Sequence, residues 1–214
     1  MQELLTTGKA TYHEADKYAV EVGQALAKAF HDNVTADMLP DGRMYYNIAS
    51  RVLPPPLRMS YEEIANYAEA MQRGMNERAR IGIKAIRPKY NADREKGLIE
   101  YASGAEYENI KKNLEEDLIN FGQAVVIDSL KVNAEFQWQS GLSPVIKRTA
   151  EGGCCDWCSK LAGTYPYEQV RDTGNDVFRR HRFCRCNVTY DPQSGRIQNV
   201  HTKRWEARRP TENR

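Results

Sequence analysis

All five cysteines of this 214-residue chain lie between positions 154 and 186, together with one of its four histidines. The segment reads CCDWCSKLAGTYPYEQVRDTGNDVFRRHRFCRC. Cys155-Asp-Trp-Cys158 is a C-x-x-C pair. Cys184-Arg-Cys186 is a C-x-C pair with His181 three residues ahead, and 25 residues separate Cys158 from Cys184. Two short-spaced pairs joined by a loop suit a tetrahedral ion: each pair spans one edge of the tetrahedron and the loop brings the edges together. Thiolate and imidazole donors favour Zn2+ among common metals. Cys154, Cys155, Cys158, His181, Cys184 and Cys186 compete for four positions. The x-x spacing favours Cys155 over Cys154 and fixes Cys158. On the other side Cys184 and Cys186 complete an all-cysteine site, or His181 with one of them completes a site of three cysteines and one histidine. Side chains two apart on a strand share a face, so both sulfurs can converge. Spacing alone leaves that choice open. Arg179, Arg180, Arg182 and Arg185 are expected to offset the negative charge of the thiolates.

Other uses of these residues fit less well. A C-x-x-C redox pair sits at a helix N-terminus within a βαβ pattern, and no such pattern surrounds Cys155. The opening MQELLTTGKATYHE has no basic start followed by an apolar run, so no signal peptide is expected. No run of 18 apolar residues is present, and no membrane partner is expected. A reducing cytosol is therefore the expected compartment, where thiols bind metal rather than pair. A catalytic zinc needs an open position and a general base. Glu151, Asp156 and Glu168 are nearby, but none has a spacing such as H-E-x-x-H. His181 among arginines also reads as a nuclease base, on the weak support of a lone histidine. A closed, structural site contributes on the order of 10 kcal/mol to folding, to a module with few large apolar residues: Trp157, Leu161, Tyr165, Tyr167, Val177, Phe178 and Phe183.

Residues 1–140 read as a helical domain. Thr11-Tyr-His-Glu14 is a capping box, followed by an apolar stripe of Ala15, Ala19, Val22, Leu26 and Phe30 at helical spacing. Pro54-Pro-Pro56 is expected to break a short helix over 44–53. Ser60-Tyr-Glu-Glu63 reads as a second capping box, opening a helix through Ile64, Ala68, Met71, Met75 and Ala79 that ends at or just before Arg87 because Pro88 follows. A shorter helix is expected over 91–104, broken at Ser103-Gly104. Tyr107, Ile110, Leu114, Leu118, Phe121 and Val125 mark the longest amphipathic helix, extending to about Glu135. After Gly141 the pattern changes: 143–149 suits a strand, and 187–190 with 196–200 reads as a β-hairpin. The expected fold is α+β, a mainly α-helical body (1–140) followed by a small β-rich zinc-knuckle module (141–205) and a basic tail (206–214).

Charge is uneven. From Asp176 to Arg214 ten Arg and Lys face four acids, whereas the preceding 175 residues carry 21 basic and 25 acidic groups. A basic end on a mildly acidic body suggests an acidic partner such as nucleic acid, with Arg196, Lys203, Arg204, Arg208 and Arg209 as the candidate contacts.

Cys155-Asp-Trp-Cys158, Leu161-Ala-Gly163-Thr-Tyr165, Val177-Phe-Arg-Arg-His181 and Cys184-Arg-Cys186 together resemble the C-terminal module of tailed-phage minor head proteins, the Mu F-like or phage head morphogenesis family. The signature is C-x-x-C, a Leu-x-Gly step and a His-x-x-Cys-x-Cys ending. In many members proline follows the histidine; here Arg182 does. Asn91-Ala-Asp-Arg94 and Gly141-Leu-Ser-Pro-Val-Ile-Lys-Arg148 look like members from phages of Gram-positive hosts, and the specific likeness covers about 141–205. The resemblance implies a non-enzymatic virion protein inside the head, held in the host cytoplasm before assembly. It implies portal and major capsid proteins as partners, and a part in DNA packaging or ejection. The alternatives are a zinc-knuckle nucleic-acid-binding regulator and, further off, a zinc-dependent nuclease or hydrolase toxin.

Overall fold

Thr11 starts the first long helix as its capping box requires. Its hydroxyl accepts from the His13 amide, and the Glu14 carboxylate accepts from the Thr11 amide. A computed structural model describes residues 2–150, 153–172, 176–184, 186–192, 196–198 and 205–207. After a short α1 (Gln2–Thr6), α2 (Tyr12–Asn33) buries Tyr12, Ala15, Ala19, Gly23, Ala27 and Phe30. Val22 and Leu26, expected on this face, are only partly buried at its edge. The small residues let α2 approach a later helix closely: a Cβ on Gly23 would lie 2.6 Å from the Ile119 Cα.

The expected break at Pro54-Pro-Pro56 is present, and the prolines do more than end a helix. These prolines do not merely stop α3 (Tyr46–Val52); they open α4 (Pro54–Ala79). In the first turn of a helix the missing N–H has no intrahelical acceptor to lose, and a φ near −65° is already helical. Ser60 is consequently buried inside α4 and caps nothing. Pro88 does not set the far end either. The helix stops at Ala79, with Arg80 in the left-handed region (φ 53°). Burial of Ile81 against Ala79 and Leu142 makes the early exit favourable, and the Asn76 side chain holds the departing chain by donating to the Ile83 carbonyl. The extended stretch that follows is fixed by Asn133, whose amide accepts from the Ile86 N–H and donates to the Ile86 carbonyl, both at 2.8 Å.

α5 (Ala92–Ser103) is capped by Asn91 and ends at Gly104 as expected. α6 (Tyr107–Gln139) runs one turn beyond the expected end. Its middle, Phe121 to Ile127, is buried on every side. α6 is therefore the central helix, packed chiefly on α2 and α4. No helix among the described residues is long and apolar enough to cross a membrane.

The fold is α+β. β1 (Val145–Thr149) lies at the centre of a three-stranded antiparallel sheet, between β2 (Gly163–Pro166) and β3 (Asn187–Asp191). Two short helices, α7 (Asp156–Lys160) and α8 (Tyr167–Val170), flank β2. The expected hairpin of 187–190 with 196–200 does not form. β3 pairs with β1, where Val188 and Tyr190 reach the core, and β4 (Arg196–Gln198) pairs instead with β5 (Trp205–Ala207). β5 runs across position 206, where the tail was expected to begin.

One hydrophobic core runs through helices and sheet, joining Leu118 and Leu130 to Ile146, Val188 and Tyr190. Tyr190 meets the ring of Tyr12 edge-on at 5.4 Å. Its hydroxyl accepts from the amides of Gln72 (2.6 Å) and Gln137 (2.8 Å). This buried polar network, in which only the Gln137 Oε1 lacks a partner among the described residues, ties β3 to α2, α4 and α6.

Candidate metal centre

The first half of the centre is a single helical turn. Cys155 stands at the N-terminal boundary of α7, and the Ser159 amide donates to its carbonyl at 3.0 Å. Three residues on, Cys158 comes round to the same side. The second half is a tight turn closed by the Cys184 N–H donating to the His181 carbonyl at 3.2 Å. That turn places Phe183 in the left-handed region at φ 60°, an unusual conformation for a bulky residue and one that concentrates at functional sites.

The two halves meet. His181 Nε2 lies 3.0 Å from Cys158 Sγ and 3.3 Å from Cys155 Sγ, and Cys158 Sγ lies 3.9 Å from Cys184 Sγ. Two overlapping donor groups result, Cys155/Cys158/His181 and Cys158/Cys184/Cys186, with the donor atoms of each within 4.8 Å of one another. Zn–S bonds of about 2.3 Å set a tetrahedral edge of about 3.8 Å, so these separations are close to what one ion spans. Cys158 belongs to both groups. The five cysteines are free thiols, with no disulfide. All five sequence-selected donors are brought together; Cys154, the sixth candidate, faces Ser159 Oγ at 3.2 Å instead. A metal ion could be held here.

Three features suit the donors to that task. The Nδ1 of His181 lies 2.5 Å from the Arg182 carbonyl. A proton donated there leaves the Nε2 lone pair facing the sulfurs, the tautomer a metal ligand needs. The amide of Cys158 and its neighbours draw the exposed Cys155 thiol below its ordinary pKa. Burial acts oppositely deeper in: it pushes Cys158 up to about 12 and raises Cys186. Without a cation these inner thiols stay protonated, and a metal must displace their protons.

The expectation about the arginines is corrected. Arg180 pairs with Asp16 of α2 at 2.6 Å, and Arg182 grips Asp117 of α6 through two bonds of 2.6 and 2.7 Å. Arg179 pairs with Asp176 at the surface, and Arg185 lies outside the described residues. The first two therefore moor the His181 turn to the helical body. The cation facing the sulfurs is Arg148, on β1 and 1% exposed. It donates to the carbonyls of Asp176, Val177 and Arg179 at 2.7–3.1 Å and to Cys158 Sγ at 3.5 Å. Its guanidinium lies over the Trp157 ring, which also meets His181 edge-on. Among the described residues it forms no ion pair with a carboxylate. Arg148 is not among the residues selected from sequence, yet the alternation of a strand places it on the same face as buried Ile146.

Of the proposed nucleic-acid contacts, Arg196 contributes its backbone to β4; its side chain, with Lys203, Arg204, Arg208 and Arg209, lies outside the described residues. Among the described residues no carboxylate joins either donor group.

The chain has no match among protein-family models, curated proteins or solved structures. What the centre does is therefore argued from its own geometry.

Proposed function

We propose that the centre holds one structural Zn2+ through Cys155, Cys158, His181 and Cys184, and that the chain is a non-enzymatic minor head protein of a tailed phage. The convergence of Cys155/Cys158 with His181 and Cys184 across 25 intervening residues carries the reading, because the Mu F-like signature needs those segments together. Three thiolates and one imidazole around a divalent ion leave a single net negative charge, which Arg148 offsets. A fourth thiolate in place of His181 would leave one more. With four protein donors the ion has no open position, so it serves the fold and not hydrolysis.

In this reading the helical body makes the contacts to portal and major capsid proteins, the zinc-knuckle module stabilises the far end of the chain, and the basic residues from 196 onward face packaged DNA. The protein works in head morphogenesis and in DNA packaging or ejection, from the interior of the virion.

Metal analysis of freshly reduced protein should give about one zinc per chain. Cys184→Ser should lose it and Cys186→Ser should keep it. In this reading the neighbouring genes encode portal and capsid proteins, and co-expression with them should carry this protein into sedimenting heads. Heads that form normally and exclude it would overturn the assembly role while leaving the metal site standing.

A further inference from the structure

A cavity of 320 Å3 opens where the arginine-rich turn meets α5 and α6. Arg94, Arg179, Arg180 and Arg182 line it, and the one carboxylate on its wall, Asp117, is already engaged by both arms of Arg182. The Arg180 side chain is only 6% exposed, and Asp16 occupies its Nη2. Its Nε and Nη1 are buried and have no acceptor among the described residues. Asn120 stands on the same wall with a buried, unpartnered Oδ1. A half-turn of that amide, whose oxygen and nitrogen are nearly interchangeable, presents a further donor to the same space. Buried donors without acceptors are rare and costly. The four arginines each pair with one carboxylate, Arg94 with Asp128, Arg179 with Asp176, Arg180 with Asp16 and Arg182 with Asp117, and what the cavity still lacks is an acceptor for the two remaining Arg180 donors.

We infer that this cavity binds a small molecule through an oxyanion head, phosphate or carboxylate, held by Arg180 and its neighbours, with a compact apolar body against Phe121 and Phe178. Its volume is at the small end of ligand sites, too little for a large cofactor. Guanidinium groups are the side chains best matched to such heads. Because the cavity is built from α5, α6 and the 178–182 turn together, its occupant bridges the helical body and the metal-bearing turn.

The test is calorimetric titration of the metal-loaded full-length protein, at low salt, with inorganic phosphate, phenyl phosphate and benzoate. One probe at least should bind with one-site saturation. Phenyl phosphate should exceed inorganic phosphate, and the ranking of phenyl phosphate against benzoate identifies the head. Asn120→Asp, which puts a negative charge into the cavity, should weaken binding about tenfold or more. Arg179→Gln, at an exposed position on the rim, should weaken it several-fold while leaving metal content and thermal midpoint unchanged. It keeps the test sound if the buried variant fails to fold. No saturable binding of any probe at millimolar concentration overturns the inference, as does affinity that neither variant alters.

Discussion

Around α6 the interior is built from Leu114, Leu118, Phe121, Val126 and Leu130 packed on α2 and α4. Around α7 and the 181–186 turn the buried residues of the local cluster are Cys158, Cys184 and Cys186, with Trp157 at the margin. The first region excludes water with hydrocarbon. The second buries thiols, of which desolvation raises the pKa of Cys158 and Cys186, beside an arginine with no carboxylate partner among the described residues. A hydrocarbon interior is complete as it stands. In the proposed reading, a sulfur interior facing a buried cation is completed by a metal, which would turn thiols into thiolates and supply both the cross-link and the countercharge.

Stripping the metal should separate the two regions most sharply. Chelation, or Cys158→Ser, should remove stabilisation on the order of 10 kcal/mol from the module. It should abolish the near-ultraviolet signal of Trp157 while most helical ellipticity persists; full retention of that signal in metal-free protein would break the contrast. Arg148→Gln should come next, at about 3 kcal/mol, because it leaves three carbonyls and a thiolate centre without their shared partner. Its mark is weakened zinc retention against a competing chelator, along with the lower thermal midpoint. In the body, Gly23→Ala forces a methyl against the Ile119 backbone. It should cost about 2 kcal/mol, by denaturant titration, with zinc stoichiometry unchanged.

The smallest effect sits on the seam. Glu135 of α6 accepts from Arg171 at 2.7 and 3.1 Å and from Tyr167 at 3.0 Å, and the Arg171 guanidinium holds its carboxyl below the ordinary pKa. A folded value below the unfolded one contributes stability that is present at neutral pH and lost as pH falls through the folded value. Glu135→Gln should therefore cost about 1 kcal/mol at pH 7 and flatten the acid limb of the stability profile, as thermal melts between pH 7 and 3 would record.

The two regions were also unequally legible. Capping at Thr11, the stripe of α6 and the break at Gly104 follow local rules, and the helices obey them. The prolines at 54–56 stop one helix as expected but also start the next, so the capping box read at Ser60 misled; packing of Leu53 and Leu57 in the core favours the earlier start. The partner of β3 was invisible for a related reason: strand pairing is non-local, and β1 lies some forty residues upstream. The clustering of the candidate donors was readable from spacing, since a tetrahedron fixes which residue types must recur and how closely. The division of labour among arginines was not. Arg148 differs from Arg180 and Arg182 only in what the fold sets beside it.

The meeting of Tyr12 with Tyr190, and of His13 with Asn187, has a bearing on how the chain matures. Most of the sequence must leave the ribosome before the first long helix finds its final neighbour. Until then the Tyr12 ring of α2 lacks its edge-on partner and that end of the helix stays open to non-native contacts. The chain's productive folding is tied to the emergence of β3 and, in the proposed reading, to an ion being at hand when Cys184 appears.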